Sequence, residues 1–475
     1  MTATALPTTA TRTLSPTLTR TGLMTVLLGA ALAPIDLFIV NVALPTIGTD
    51  LRAGTAALEW IVAGYGIAFA LLLVVGGRLG DAFGRRRLFT VGLAAFTLTS
   101  LICGLAPNAT VLVLARVAQG GAAALMVPQV LSIIQATTSG ERRARVLGYY
   151  GATGGISMVI GQLLGGVLVS VDLAGAGWRP IFLVNVPIGL AGLLLARRTL
   201  PETRASNPVG VDRWGTVLLG TTLLTLLVPV MEGRALGWPI WCWVLLAACP
   251  LAAVGFVMVE RRMEARGGNP LLPTSLARLP SMRHGMAIAV PFFGGFGGFM
   301  FVYALTLQDG LHLGPLAAGL ALTPMAVAYL VFALLSSRLV ARFGRRVMIA
   351  GAAIQLLGLL LLIGTVLLTW PNLGVLTLAP GTLIAGAGQG MIAPTLFRLV
   401  LSQIPTESAG AGSGVMVTAQ QTSLALGAAT LGTLFAALSS GSAGFQGAVV
   451  TTTAIQAALT LCIAVGARRL TDPRT

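Results

Sequence analysis

The sequence predicts an all-α integral membrane protein with fourteen transmembrane helices, built as two six-helix halves with a two-helix insertion between them. Three observations lead there. Of 475 residues, 56 % are hydrophobic and 9 % charged, against roughly 25 % charged in a soluble domain, so there is too little polar surface to coat a globule. Apolar runs of about 17 to 25 residues, the length a helix needs to cross the hydrocarbon with its backbone hydrogen bonds satisfied internally, recur fourteen times. A loop motif also repeats at a distance that fits two halves and an insertion. Glycine supplies 60 residues, near twice its usual share of about 7 %, and small residues let helices approach closely in lipid.

In chain order, the Thr-rich stretch from Met1 to Arg20 has too little apolar surface to fold and is expected to be a disordered cytoplasmic tail, residues 1–21. It is not a cleavable signal, because the apolar run that follows is long enough to span. The first half, residues 22–200, holds the runs Leu23 to Leu44, Leu58 to Val75, Leu88 to Leu105, Val111 to Ile134, Val146 to Val169 and Ile181 to Ala196. The insertion, residues 201–268, holds Trp214 to Val230 and Ile240 to Val259. The second half, residues 269–475, holds Met286 to Leu307, Leu316 to Leu335, Val347 to Leu368, Leu373 to Leu396, Val415 to Leu438 and Ala448 to Val465.

The net charge is +16, and all 30 basic residues are arginine. They cluster between apolar runs and form no long basic stripe interleaved with aromatics, so the charge reflects membrane topology and not a nucleic-acid partner. With the N-terminus inside, the loops carrying Arg85, Arg86 and Arg87, then Arg142, Arg143 and Arg145, then Arg197, Arg198 and Arg204, become cytoplasmic. So do Arg261, Arg262, Arg345, Arg346, Arg468 and Arg469. Only Arg52, Arg179 and Arg234 fall outside and Arg116 lies within a span, which leaves 26 of the 30 inside. The positive-inside rule then places both termini in the cytoplasm of a cell-membrane protein. Cys103, Cys242, Cys249 and Cys462 fall singly inside apolar runs, and His284 and His312 near span ends, so no metal site or catalytic triad is suggested.

The repeat is Gly77-Arg78-Leu79-Gly80-Asp81-Ala82-Phe83-Gly84-Arg85-Arg86-Arg87, which returns in outline as Ser337 to Val347, 260 residues later. Each copy follows the second span of its half. Adjacent six-helix halves repeat at about 190 to 200 residues, so the surplus matches two further spans with their loops.

These features resemble the major facilitator superfamily, in its fourteen-span drug:proton antiporter branch. Five motifs carry the resemblance. Gly77, Asp81, Gly84, Arg85 and Arg86 are similar to the signature loop between spans two and three, with Ala82 where a basic residue is usual. Asp36-x-x-x-Val40-Asn41-Val42-Ala43-Leu44-Pro45 resembles the first-span signature of the branch. Arg116-x-x-Gln119-Gly120-Gly121 resembles a fourth-span motif, and Trp178-Arg-Pro-Ile-Phe-Leu-Val-Asn185-Val-Pro187-Ile-Gly189 a sixth-span string. The antiporter motif of the fifth span corresponds to Gly148, Ser157, Gly161, Gln162, Gly165 and Gly166, with Ser157 in place of a usual Gly and Gln162 in place of a usual Pro. The resemblance implies a major-facilitator fold and export of small, largely apolar drugs or antibiotics in exchange for protons, with no cofactor. The partners it implies are the substrate, protons and the lipid bilayer.

An acid inside a span costs about 2.5 to 3.5 kcal/mol on insertion scales, which makes Asp36 and its counterpart Arg116 the candidate proton-coupling pair. Helical rise puts both at comparable depth in the outer half of the bilayer. A neighbouring cation favours the carboxylate and apolar surroundings favour the neutral acid, so the pair could exchange protons; a static ion pair joining two helices is the other reading. The resemblance makes Gly77, Arg78, Asp81, Gly84, Arg85 and Arg86 a latch between halves while the cavity faces outward, incomplete in the second copy where Ala341 replaces the acid. Ser157, Gly161 and Gly165 fall four apart on one face of span five, a small-xxx-small stripe. Asn41, Gln119, Asn185, Gln308 and Gln420 are candidates for the substrate cavity, with Gln389 and Gln421 beside them. Phe292, Phe293, Phe296, Phe299, Phe301 and Tyr303 are read mainly as packing residues. Glu59 and Asp309, at outer span ends, are read as solvated. Uptake symport, export of an endogenous metabolite or lipid, and a membrane enzyme or receptor on the same fold are the competing functions. No nucleophile and base constellation supports the last.

Overall fold

The computed structural model describes residues 18–204, 210, 212–233, 236–268, 270–401, 404 and 409–468. Most of the expected tail, with Arg234 and Arg469, lies outside the described residues. Among them, fourteen helices are long and apolar enough to cross a membrane. They are α1 (Arg20–Asp50), α2 (Thr55–Phe83), α3 (Arg85–Gly104), α4 (Ala109–Thr137), α5 (Gly140–Val171), α6 (Pro180–Thr199), α7 (Arg213–Glu232), α8 (Ile240–Ala265), α9 (Pro280–Leu305), α10 (Pro315–Phe343), α11 (Arg346–Thr369), α12 (Val375–Leu401), α13 (Ala409–Ser439) and α14 (Gly444–Ala467). An even number of crossings brings both ends of the bundle to one face, the terminal face below.

Helices run past their apolar runs because polar residues continue them into the interface. In α1, 31 residues reach about 46 Å, near the thickness of a bilayer with its headgroups. Its start corrects the expected end of the tail. Thr19 caps the helix, its Oγ1 accepting from the Gly22 N–H at 3.0 Å, and Leu18 is buried, so residues 18–21 belong to the fold. Extension to Asp50 also leaves Asp36 near the middle of α1.

Helices α1–α6 pack into one half and α9–α14 into the other. The halves meet chiefly along two seams, α2 with α13 and α5 with α10. Since α2 corresponds to α10 and α5 to α13, the seams exchange under a two-fold, as a parallel repeat requires. The repeated loop has a backbone reason: Gly84 closes α2 at φ 109° and Gly344 closes α10 at φ 57°. Only glycine takes such turns without strain, and each allows the next helix to begin almost at once.

The insertion forms a hairpin of α7 and α8. Helix α7 packs on the seam between α2 and α13, whereas only 6 % of the most apolar stretch of α8 is buried, against 78 % for α9. The hairpin is thus peripheral and α9 central.

Candidate functional site

The fold gathers buried polar groups around Asp36, which is fully buried on α1. Its Oδ2 is ion-paired with Arg116 Nη1 of α4. Its Oδ1 accepts from Gln119 Nε2 at 2.9 Å and from Asn185 Nδ2 of α6 at 3.0 Å. Arg116 and Gln119 are three apart on α4 and share a face, so Gln119 Oε1 accepts from Arg116 Nη1 at 2.7 Å while its amide also donates to Ser100 Oγ of α3 at 2.8 Å. Helix α2 completes the cage, with the Ile61 carbonyl accepting from Arg116 Nε at 3.0 Å and the Tyr65 ring 4.4 Å from the guanidinium carbon. The assembly is electrically neutral and joins five helices.

Gln119 and Asn185, expected at the substrate cavity, are therefore hydrogen-bonded around Asp36 instead. Ser100, Tyr65 and the Ile61 carbonyl escaped sequence reasoning, because a serine or tyrosine in an apolar run reads as packing and a carbonyl carries no sequence signal.

The cavity between the halves is a separate, partly open space. Helix α1 contributes Leu37, Phe38 and Asn41, α2 Val62 and Gly66, α9 Phe296 and Met300, and α13 Gln421 and Leu424. The surface is mainly apolar. Asn41 turns its amide nitrogen to Leu37 O at 3.1 Å, and its buried Oδ1 has no partner among the described residues. Gln421 lines the cavity and its neighbour Gln420 does not. Gln308 sits in a π turn continuing α9 and donates to Val42 O at 2.6 Å, tying the halves together instead of lining the space. Of the aromatics on α9, Phe296 lines the cavity, 6.3 Å from Phe38 across it, while Phe292, Phe293, Phe299, Phe301 and Tyr303 are core.

Among the described residues, the Gln308 bond is accompanied by two other polar ties near the face opposite the termini. Leu316 N donates to Ser170 Oγ at 2.9 Å, and Thr433 Oγ1 donates to Glu59 Oε1 at 3.2 Å. Glu59, expected to be solvated, is 1 % exposed because α13 covers it. Asp309 is exposed, as expected.

Helix α5 runs unbroken and without proline between α1 and α10. Ser157 Oγ donates to Ala31 O at 3.3 Å; a Cβ on Gly161 would lie 2.9 Å from Ile35 O, and one on Gly165 2.9 Å from Ile39 O. This stripe is an α1 contact. Gly166 faces the other way, toward Pro315 O of α10, and the Gln162 carbonyl takes up the space beside Gly319.

The signature loop turns its bonds toward its own half and the linkers. Asp81 pairs with Arg85 at 2.7 Å, Arg86 Nη1 donates to Leu200 O at 3.2 Å, and Arg78 donates to the carbonyls of Gly210 and Pro270. Gly77 abuts Pro128, and the Glu202 carboxylate fills the space beside Gly84.

Two six-helix halves around a central cavity, with a buried charge pair in one half, define a membrane transporter of small molecules. The sequence profile of the Major Facilitator Superfamily matches residues 26–428 and again 285–473, and the chain belongs to that family. It is 40 % identical over 412 residues to a probable actinorhodin transporter of Streptomyces coelicolor, covering 86 % of this chain and 71 % of that one. It is 39 % identical over 419 residues to a cephamycin export protein of Amycolatopsis lactamdurans, covering 86 % and 83 %. Among solved structures it is similar to the xylose transporter of E. coli in a partially occluded inward-open conformation, with TM-score 0.66, 15 % identity and coverage of 96 % and 98 %. That likeness shows the fold.

Proposed function

We propose that the protein exports small, largely apolar compounds of the drug or antibiotic type in exchange for protons, by alternating access, with both termini in the cytoplasm. The observation that carries this reading is the position of α1. It presents Asp36 to Arg116, Gln119 and Asn185 while its neighbours Leu37, Phe38 and Asn41 line the cavity. A change of charge on Asp36 therefore acts on a helix that touches the substrate space. A proton taken up at Asp36 would release the Arg116 guanidinium to Gln119 Oε1, the Ile61 carbonyl and the Tyr65 ring, loosening α1 from α4 so that it can move against the glycine face of α5. At about 150 mV one proton supplies ~3.4 kcal/mol, enough for a concentration gradient of roughly 300-fold. The proton gradient is the energy source and no cofactor enters.

The apolar lining supports a largely apolar substrate, and two relatives are named for actinorhodin transport and cephamycin export. The signature loop acts as the latch in the outward-facing state. Here Asp81 and Arg86 bond within the first half and Arg78 reaches only the linkers flanking the hairpin, while polar ties join the halves near the opposite face, which supports that assignment.

The test is accumulation of a fluorescent lipophilic cation in everted vesicles, with and without a proton gradient, for wild type and Asp36→Asn. Gradient-dependent accumulation that the substitution abolishes is the expected result. Undiminished accumulation by Asp36→Asn would overturn the role of Asp36.

A further inference from the structure

The hairpin carries two buried acids that the transport reading does not use. Asp212 caps α7, its Oδ1 accepting from the Gly215 N–H at 2.8 Å, and is 3 % exposed. Glu260, near the terminal-face end of α8, is fully buried, and its Oε2 accepts from the Leu272 N–H at 2.8 Å. Their remaining oxygens, Asp212 Oδ2 and Glu260 Oε1, both crowd the space beside the Cα of Gly215, where no side chain would fit. The two carboxyls lie within hydrogen-bonding reach of one another, yet neither of these oxygens has a donor among the described residues. Arg78 of the signature loop lies within electrostatic range of both. It acts electrostatically on each carboxyl, and it donates to the carbonyls of Gly210 at 2.9 Å and of Pro270, just before and just after the hairpin.

We propose that Asp212 and Glu260 bind one proton between them, and that this proton clasps the two ends of the hairpin to each other and to the signature loop. Two ionised carboxylates touching in a buried site repel, and a single O–H···O⁻ bond removes one charge while satisfying both orphaned oxygens. The remaining negative charge is matched by Arg78. The proton belongs to the pair and not to either residue.

Among the described residues, the neighbouring charges are otherwise exposed, distant or paired. On α2 the other charged residues are Glu59, at the far end, and Asp81, which pairs with Arg85. Arg213, Arg261 and Arg262 are exposed, and Glu264 is occupied by Thr274 Oγ1 at 2.6 Å. Helix α13, which packs on α7, carries no charged side chain. The proton enters from and leaves to solution at the terminal face, so the clasp opens as pH on that side rises. The chain passes from one half to the other only through this segment, which gives the hairpin a way to report pH to the loop between α2 and α3.

The test uses the full-length protein in lipid nanodiscs, as wild type, Asp212→Asn and Glu260→Gln. Infrared titration should find a protonated-carboxyl band at neutral pH that disappears as pH rises and is lost in both variants, because the remaining acid then stays ionised beside Arg78. Hydrogen exchange, corrected for its intrinsic pH dependence, should show residues 212–216 and 270–276 losing protection over the same interval in wild type. Glu260→Gln, whose amide donates permanently to Asp212, should keep that protection at all pH values. A wild type with no titrating band and pH-independent protection would overturn the proposal, and this arm decides even where a variant fails to fold. Neither readout involves transport, so failure here is distinguishable from failure of antiport through Asp36.

Discussion

Arg116 and Asp36 are buried completely and bonded to each other, so removing one charge leaves the other buried without its counter-charge. Breaking a buried pair from one side costs about 3 to 5 kcal/mol, which is roughly a 150- to 5,000-fold shift toward the unfolded state. The two sides differ. In Arg116→Met the carboxylate keeps only the Gln119 and Asn185 amides, so this substitution should fall at the upper end. In Asp36→Asn the guanidinium keeps Gln119 Oε1, the Ile61 carbonyl and the Tyr65 ring, which places it at the lower end. The double variant carries no net buried charge and should recover to within about 1.5 kcal/mol of wild type, a strongly non-additive result. Pulse proteolysis of the four proteins in mixed micelles reads the unfolded fraction directly. Single substitutions that cost less than about 1 kcal/mol, or a double variant that sums the two losses, would refute the claim that the charges hold each other in place.

Other consequences follow from particular contacts. Gly161→Ala places a Cβ 2.8 Å from Phe38 Cβ and 2.9 Å from Ile35 O, so α1 and α5 must part; a cost of about 1 to 3 kcal/mol and slowed transport are expected, read by thermal melts and efflux rates. Phe296→Ala and Asn41→Ala alter the cavity wall without touching the Asp36 cage, and should change the ranking of exported compounds in a resistance panel while leaving proton coupling intact. Asp81→Asn removes an ion pair whose acid side chain is 37 % exposed, so stability should move by less than about 1 kcal/mol. Its effect is expected instead in the balance of access states, seen as altered labelling of cysteines introduced at the cavity.

The number of spans was legible because the bilayer imposes a length, and the two-half plan was legible because the glycine turn at Gly84 and Gly344 had to be repeated. The Asp36–Arg116 pair was legible for a similar reason, since a charge inside a span is conspicuous. Its surroundings were not. Gln119 and Asn185 were assigned to the cavity because a polar residue in an apolar run does not reveal which side of its helix it occupies, and three helices had to be positioned before they could be seen to converge. Glu59 lies at a span end and reads as solvated until α13 is packed over it. The choice between Gln420 and Gln421 turned on a rotation of about 100° per residue, which only the packed α13 supplies.

The central claim is that export through the cavity beside α1 is exchanged for a proton carried by Asp36. The most direct test is to reconstitute the full chain in liposomes with a pH-sensitive dye inside and to add a transported compound to one side without any imposed gradient. Proton movement opposite to the compound is expected in wild type, and none in Asp36→Asn, even where the substituted protein still binds the compound. Substrate flux without proton movement in wild type, or equal proton movement in Asp36→Asn, would contradict it.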